Sequence, residues 1–194
     1  MTPTLAIGVT IKSGWALLVL LEGPTQGPIV RDARRIDLSD PSIPEARQPY
    51  HDGRGTARAE GPDLARLVAG VNRFGGQSVA EAIRLARADE RTIRGMGIVV
   101  GSLVDPATLG NSHIRIHALE GQLFRGVVID AARRAQLRTE VWRERDVHEV
   151  AVHALGRTER DLKNDLAQLG RQVDGPWRAE QKHAALAAWL ILSA

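Results

Sequence analysis

Apolar residues fill positions 5–11 apart from Gly8 and Thr10, give way at Lys12, Ser13 and Gly14, and resume from Trp15 to Leu21. Two runs of this kind around a glycine-containing break predict two buried strands joined by a tight turn, a hairpin at the centre of a sheet. Residues 28–38 start apolar, turn charged, and set Ile36 and Leu38 at period two, which predicts a third strand at a sheet edge with Arg31, Arg34 and Arg35 solvated. Residues 39–61 are polar and rich in Pro and Gly. A long loop is expected there, the chain's most mobile segment, in which Tyr50 and His51 can reach a ligand or simply face water.

Helical spacing follows. Leu64, Leu67, Val68 and Val71 share one face over residues 62–72, and Val79, Ala82, Ile83 and Ala86 share another over residues 78–91. Gly75 and Gly76 predict a break between two helices, and Ser78 with Glu81 reads as a capping box. The run from Gly97 to Gly101 predicts a short buried parallel strand, after which Ser102 and Asp105 stand where ligands gather in open α/β sheets. A helix over residues 113–136 buries Ile116, Leu119, Leu123 and Val127, with His113, His117, Glu120 and Phe124 on the flank of that stripe. Two imidazoles and a carboxylate at this spacing could bind a divalent metal, or Glu120 hydrogen-bonds a histidine on a polar flank without any ion. A strand at 138–143 and helices at 147–155, 158–172 and 178–193 complete the chain, with Trp15 and Trp189 expected in the core and Trp177 before the last helix as a hydrophobic staple.

Composition narrows the picture. The 194 residues are 43% hydrophobic and 25% charged, enough for one core, so a single domain over 1–194 is expected. With no cysteine there is neither a disulfide framework nor a thiol nucleophile, and with no basic leader or membrane-length apolar run a cytoplasmic protein is expected. Formal charge is +3 and the pI about 9.9, carried almost wholly by arginine; the only lysines are Lys12, Lys163 and Lys182. Arginine suits phosphate, so the balance reads either as the footprint of a nucleic-acid binder or as codon usage in a GC-rich genome.

Three stretches carry a resemblance: the opening IGVTIKSGWALL, GIVVGSL followed by HALEGQLFRGVVIDAARRAQLRTEVW, and the terminal RAEQKHAALAAWLIL. Together with the order of elements they resemble the ribonuclease H-like superfamily, nearest to its Holliday-junction resolvase branch. The resemblance implies a mixed five-stranded sheet with an N-terminal antiparallel hairpin and helices on both faces. It also implies carboxylates at three places holding two divalent metals, Mg²⁺ or Mn²⁺, for phosphodiester cleavage. This chain has Thr10 at the first place and Gly101 and Ser102 at the second; only the third keeps ligand-like groups, Glu180 and His183.

The expected function is therefore a ribonuclease H-like binding or scaffolding protein that has lost the two-metal site, with nucleic acid, a protein or a second copy of the chain as partner. Lys12, Lys182, Thr10 and Ser102 are the expected nucleic-acid contacts. The alternative is a metal-dependent nuclease or junction resolvase with a rearranged site drawn from Glu120, Glu144, Glu180 and His183. On that reading Glu180, His183 and Glu120 are catalytic, and the same three with His117 hold the metal. An actin-like or sugar-kinase ATPase is disfavoured, because such proteins resemble two of these halves in tandem and the chain lacks GxxxxGK[ST].

Overall fold

A computed structural model of the chain describes residues 4–52, 56–88 and 91–194. In chain order the strands and helices are β1 (Thr4–Lys12), β2 (Trp15–Glu22), β3 (Ile29–Asp37), α1 (Pro62–Ala86), β4 (Thr92–Val100), α2 (Ser112–Arg134), β5 (Thr139–Arg143), α3 (Val147–Leu155), α4 (Glu159–Gly170) and α5 (Ala179–Ser193). One sheet holds the five strands in the order β3-β2-β1-β4-β5. β2 runs antiparallel to both β3 and β1, while β4 lies parallel to β1 and β5 parallel to β4.

Helices cover both faces of the sheet, which is why β1 and β2 read as continuous apolar runs rather than as alternating ones. Leu5, Ile7, Val9 and Ile11 pack with α1 and α2, whereas Ala6 on the opposite face joins the core under α5. The hairpin turns at Gly14, which adopts φ +81° and whose carbonyl accepts hydrogen bonds from the amides of Leu38 and Ser39. Gly8 and Gly97 are paired across β1 and β4. A Cβ at Gly8 would stand 1.7 Å from the Ala184 carbonyl oxygen, and one at Gly97 would stand 2.5 Å from that of Ala187. The backbone of α5 is thus seated directly on a glycine step in the sheet, and its alanines are there to allow the approach.

Several local expectations are corrected. Helix α1 is one continuous element, and Gly75 lies buried inside it, where a Cβ would meet the Leu38 carbonyl oxygen at 2.6 Å. Gly75 allows close packing instead of ending a helix, and Ser78 is interior, so it caps nothing. Strand β4 begins at Thr92, earlier than its apolar run suggests, because Gly95 and Gly97 are strand positions pressed against neighbouring backbone. On α2 the buried stripe is Ile116, Glu120, Phe124 and Val127, so Glu120 and Phe124 of the expected flank turn inward while His113 and His117 stay exposed, and Leu119 and Leu123 are half-buried. Trp15 is half-buried at the start of β2 with the Arg35 guanidinium 4.9 Å from its ring, whereas Trp189 is in the core and donates to the Thr25 carbonyl at 2.7 Å. Trp177 lies over Gly170 and donates to the Leu166 carbonyl at 2.8 Å, bracing the end of α4.

The described parts of the 39–61 segment carry structure of their own. A 3-10 turn spans Pro44–Arg47, and His51 bridges to Ala57. The Arg58 guanidinium donates to the carbonyls of Pro49 and His51 at 2.8 and 2.7 Å.

Candidate functional site

The carboxyl ends of β1, β4 and β5 open into a cleft of about 250 Å³ lined by Lys12, Ser102, His117, Gly121, Phe124 and Glu144, among others. Thr10 and Lys12 occupy alternate positions of β1 and so point to the α5 side of the sheet. Thr10 is fully buried, and its hydroxyl donates to the Glu180 carbonyl at 3.0 Å. The side chain at the first resemblance position is therefore spent on tying β1 to the first turn of α5. Two residues on, Lys12 Nζ meets Glu144 Oε1 at 2.5 Å, with both side chains part-exposed. Glu144 is held in reach because its amide donates to the Val100 carbonyl at 2.9 Å, continuing the pairing of β5 with β4.

Glu180 and His183, three apart on α5, are half-buried, and Lys182 between them is exposed. Burial pushes the His183 imidazole below its ordinary pKa; Lys12 and His148 act in the same direction, and the Glu144 and Glu180 carboxylates oppose them. His183 Nδ1 is buried without a hydrogen-bond partner among the described residues. At the second resemblance position Gly101 is exposed, and the Ser102 hydroxyl accepts from the Val104 amide at 3.1 Å, shaping the loop after β4. Thr10, Lys12, Glu144, Glu180 and His183 thus gather at one end of the sheet, with Ser102 across the cleft.

Glu120 belongs to a different cluster. It projects from α2 on the opposite face, is 1% exposed, and its Oε1 lies 2.7 Å from His51 Nδ1. Its Oε2 is buried without a hydrogen-bond partner and stands 3.8 Å from His117 Nδ1. Burial pushes the Glu120 carboxyl up, against the lowering influence of His51, His117 and the Tyr50 amide. Sequence reasoning paired Glu120 with the histidines of its own helix and missed His51 as its partner. A loop residue 69 positions away has no periodic relation to a helix, and the one available signal was a histidine in a loop long enough to fold back.

No protein-family model matches this chain, and no curated protein matches its sequence. Solved structures do match. Thermus thermophilus RuvC in complex with a Holliday junction substrate is similar over 96% of this chain and 91% of its own, with a TM-score of 0.55 at 10% identity. A second Thermus thermophilus RuvC structure covers 96% and 92%, with a TM-score of 0.52 at 12% identity. The chain has the ribonuclease H-like fold. A yeast mitochondrial Holliday junction resolvase, Ydc2, is similar over 97% of this chain and 78% of its own, with a TM-score of 0.42 at 8% identity. In this ribonuclease H-like fold the antiparallel hairpin supplies the central strand β1 and its neighbour β2, and the cleft lies at the carboxyl ends of the parallel strands.

Proposed function

We propose that this chain is a binding protein built on the ribonuclease H-like fold, one that has given up the two-metal nuclease site and receives nucleic acid at the carboxyl ends of β1, β4 and β5. The observation that carries this reading is the ion pair between Lys12 and Glu144, an ammonium standing among the groups that would have to hold metal. The residues present do not fit a pair of Mg²⁺ ions, each of which takes a near-octahedral set of oxygens. Thr10 has spent its hydroxyl on a backbone carbonyl, Gly101 and Ser102 bring no carboxylate, and Lys12 neutralises Glu144. That leaves Glu180 and an imidazole disposed to stay neutral.

Nucleic acid is supported as the partner by three features. The RuvC relative in fold is described with a Holliday junction substrate. Lys12 lines the cleft, Lys182 is exposed on α5 between Glu180 and His183, and the pI is about 9.9. Cations placed at a concave strand end suit phosphate, which supplies most of the affinity of such complexes. A metal-dependent nuclease with a rearranged site is the second reading, favoured by the nearness of Glu144 and Glu180 to His183.

A cleavage and binding assay decides between them. Four-way junctions, duplex DNA and RNA–DNA hybrids incubated with the protein and Mg²⁺ or Mn²⁺ should stay intact, while a labelled junction should bind and Lys182→Ala should weaken binding about threefold to tenfold. Cleavage that disappears in Glu180→Ala would overturn the proposal in favour of the nuclease. Intact substrates with no measurable binding would instead remove nucleic acid as the partner and leave a protein in its place.

A further inference from the structure

Three of the chain's six histidines converge on one point. His113 and His117 stand one turn apart near the start of α2 and are exposed, and His51 reaches them from the 39–61 segment. One ring nitrogen from each lies within 4.8 Å of the others. The Nε2 atoms of His113 and His117 are 3.2 Å apart. Zinc–imidazole bonds of roughly 2.0–2.1 Å in a tetrahedral set put neighbouring nitrogens about 3.3 Å apart, so this pair already has the spacing of two ligands on one ion. The ring centroids of His51 and His117 are 4.9 Å apart, which leaves the exposed rings a short swing to close the set.

Glu120 supplies the second observation. Its buried carboxylate stands behind two of the three rings, with Oε1 on His51 Nδ1 and the unpartnered Oε2 facing His117 Nδ1. A carboxylate in that position holds an imidazole with its proton on Nδ1 and turns the Nε2 lone pair away from itself, which is how metal-bound histidines are oriented. A carboxylate buried to this extent is costly unless it has such work to do. Three imidazole nitrogens without an oxygen ligand suit zinc and not Mg²⁺.

We infer that His51, His113 and His117 bind one Zn²⁺ ion, with Glu120 as the carboxylate that positions His51 and His117. The site joins the 39–61 segment to α2 and keeps a fourth tetrahedral position for water or a further ligand. It lies on the face of the sheet away from Thr10 and Glu180, and it stands whether or not the nucleic-acid reading does.

The test is zinc uptake by the full chain after chelation and buffer exchange, read as metal per chain by elemental analysis and as affinity by competition with a chromophoric chelator. One zinc per chain is expected. His113→Asn and His117→Asn, both at exposed positions and checked for folding by circular dichroism, should each weaken binding at least tenfold, and Glu120→Gln roughly 10- to 100-fold. His153→Asn, on α3, should bind as the parent does. Co²⁺ in place of Zn²⁺ should give the intense visible bands of a tetrahedral site, lost in His113→Asn. A parent chain that retains no stoichiometric zinc overturns the site, as does a folded His113→Asn or His117→Asn variant with unchanged affinity; either result reduces the three rings to a hydrogen-bonded cluster.

Discussion

Glu22 is a carboxylate buried at the end of β2, 6% exposed, and it survives there because the Arg31 guanidinium of the neighbouring strand clasps both its oxygens, Nε at 2.9 Å and Nη2 at 2.6 Å. The hydrogen bonds from Arg31 hold the Glu22 carboxyl below its ordinary value of 4.5. A carboxylate with a depressed folded pKa stabilises the fold above its unfolded pKa and loses that contribution as pH falls through the folded one. Glu22→Gln should therefore lower stability by about 1 kcal/mol at pH 7, discounted for the part-exposed arginine, and the difference from the parent should shrink toward zero in acid. Urea unfolding at a series of pH values checks both sign and window. Lys12 and Glu144 show the same residue-scale lesson in the cleft. Each was legible as a charged candidate in the sequence, but their pairing was not, because 132 positions separate them and only the adjacency of β1, β4 and β5 brings them together.

Glycines decide how the elements meet. In α1, a Cβ at Gly70 would meet nothing within 4 Å, whereas one at Gly75 would strike the Leu38 carbonyl oxygen at 2.6 Å. Gly70→Ala should stabilise the protein by about 0.5–1 kcal/mol through helix propensity and lost unfolded-state freedom. Gly75→Ala should destabilise it by about 1–3 kcal/mol, since the helix must move off the end of β3. Thermal melts of the two single variants, opposite in sign, are the measurement. The contrast also explains why the Gly75–Gly76 pair reads as a helix break in one dimension. Propensity alone penalises both glycines, and only the packed neighbour reveals what Gly75 is for. The buried stripe of α2 was misplaced for a related reason: Glu120 and Phe124 face inward because His51 and the core wait there for them.

At the scale of the whole molecule, if nucleic acid is received as proposed, the chain's basic balance and the cleft contribute to its binding together. Binding of a four-way junction should weaken linearly on a log–log plot as salt rises, and Lys182→Ala should make that slope shallower by about one, the signature of one lost phosphate contact. Fluorescence anisotropy across a salt series gives the slope. Among the described residues no helix is long and apolar enough to cross a membrane.

The strands, the alternation of strand and helix and the mixed sheet were legible in the sequence, because period-two and period-3.6 patterns are local and both faces of β1 and β2 had to be buried. The absence of carboxylates at Thr10 and Gly101–Ser102 was equally plain from the sequence alone. Only the tertiary structure decided which groups are partners: Thr10 with Glu180, Lys12 with Glu144, and Glu120 with His51. Each of these contacts joins residues far apart in the chain, and no periodicity encodes them. They exist because α5 settles on the Gly8–Gly97 step, because β1, β4 and β5 lie side by side in the sheet, and because His51 is carried onto α2.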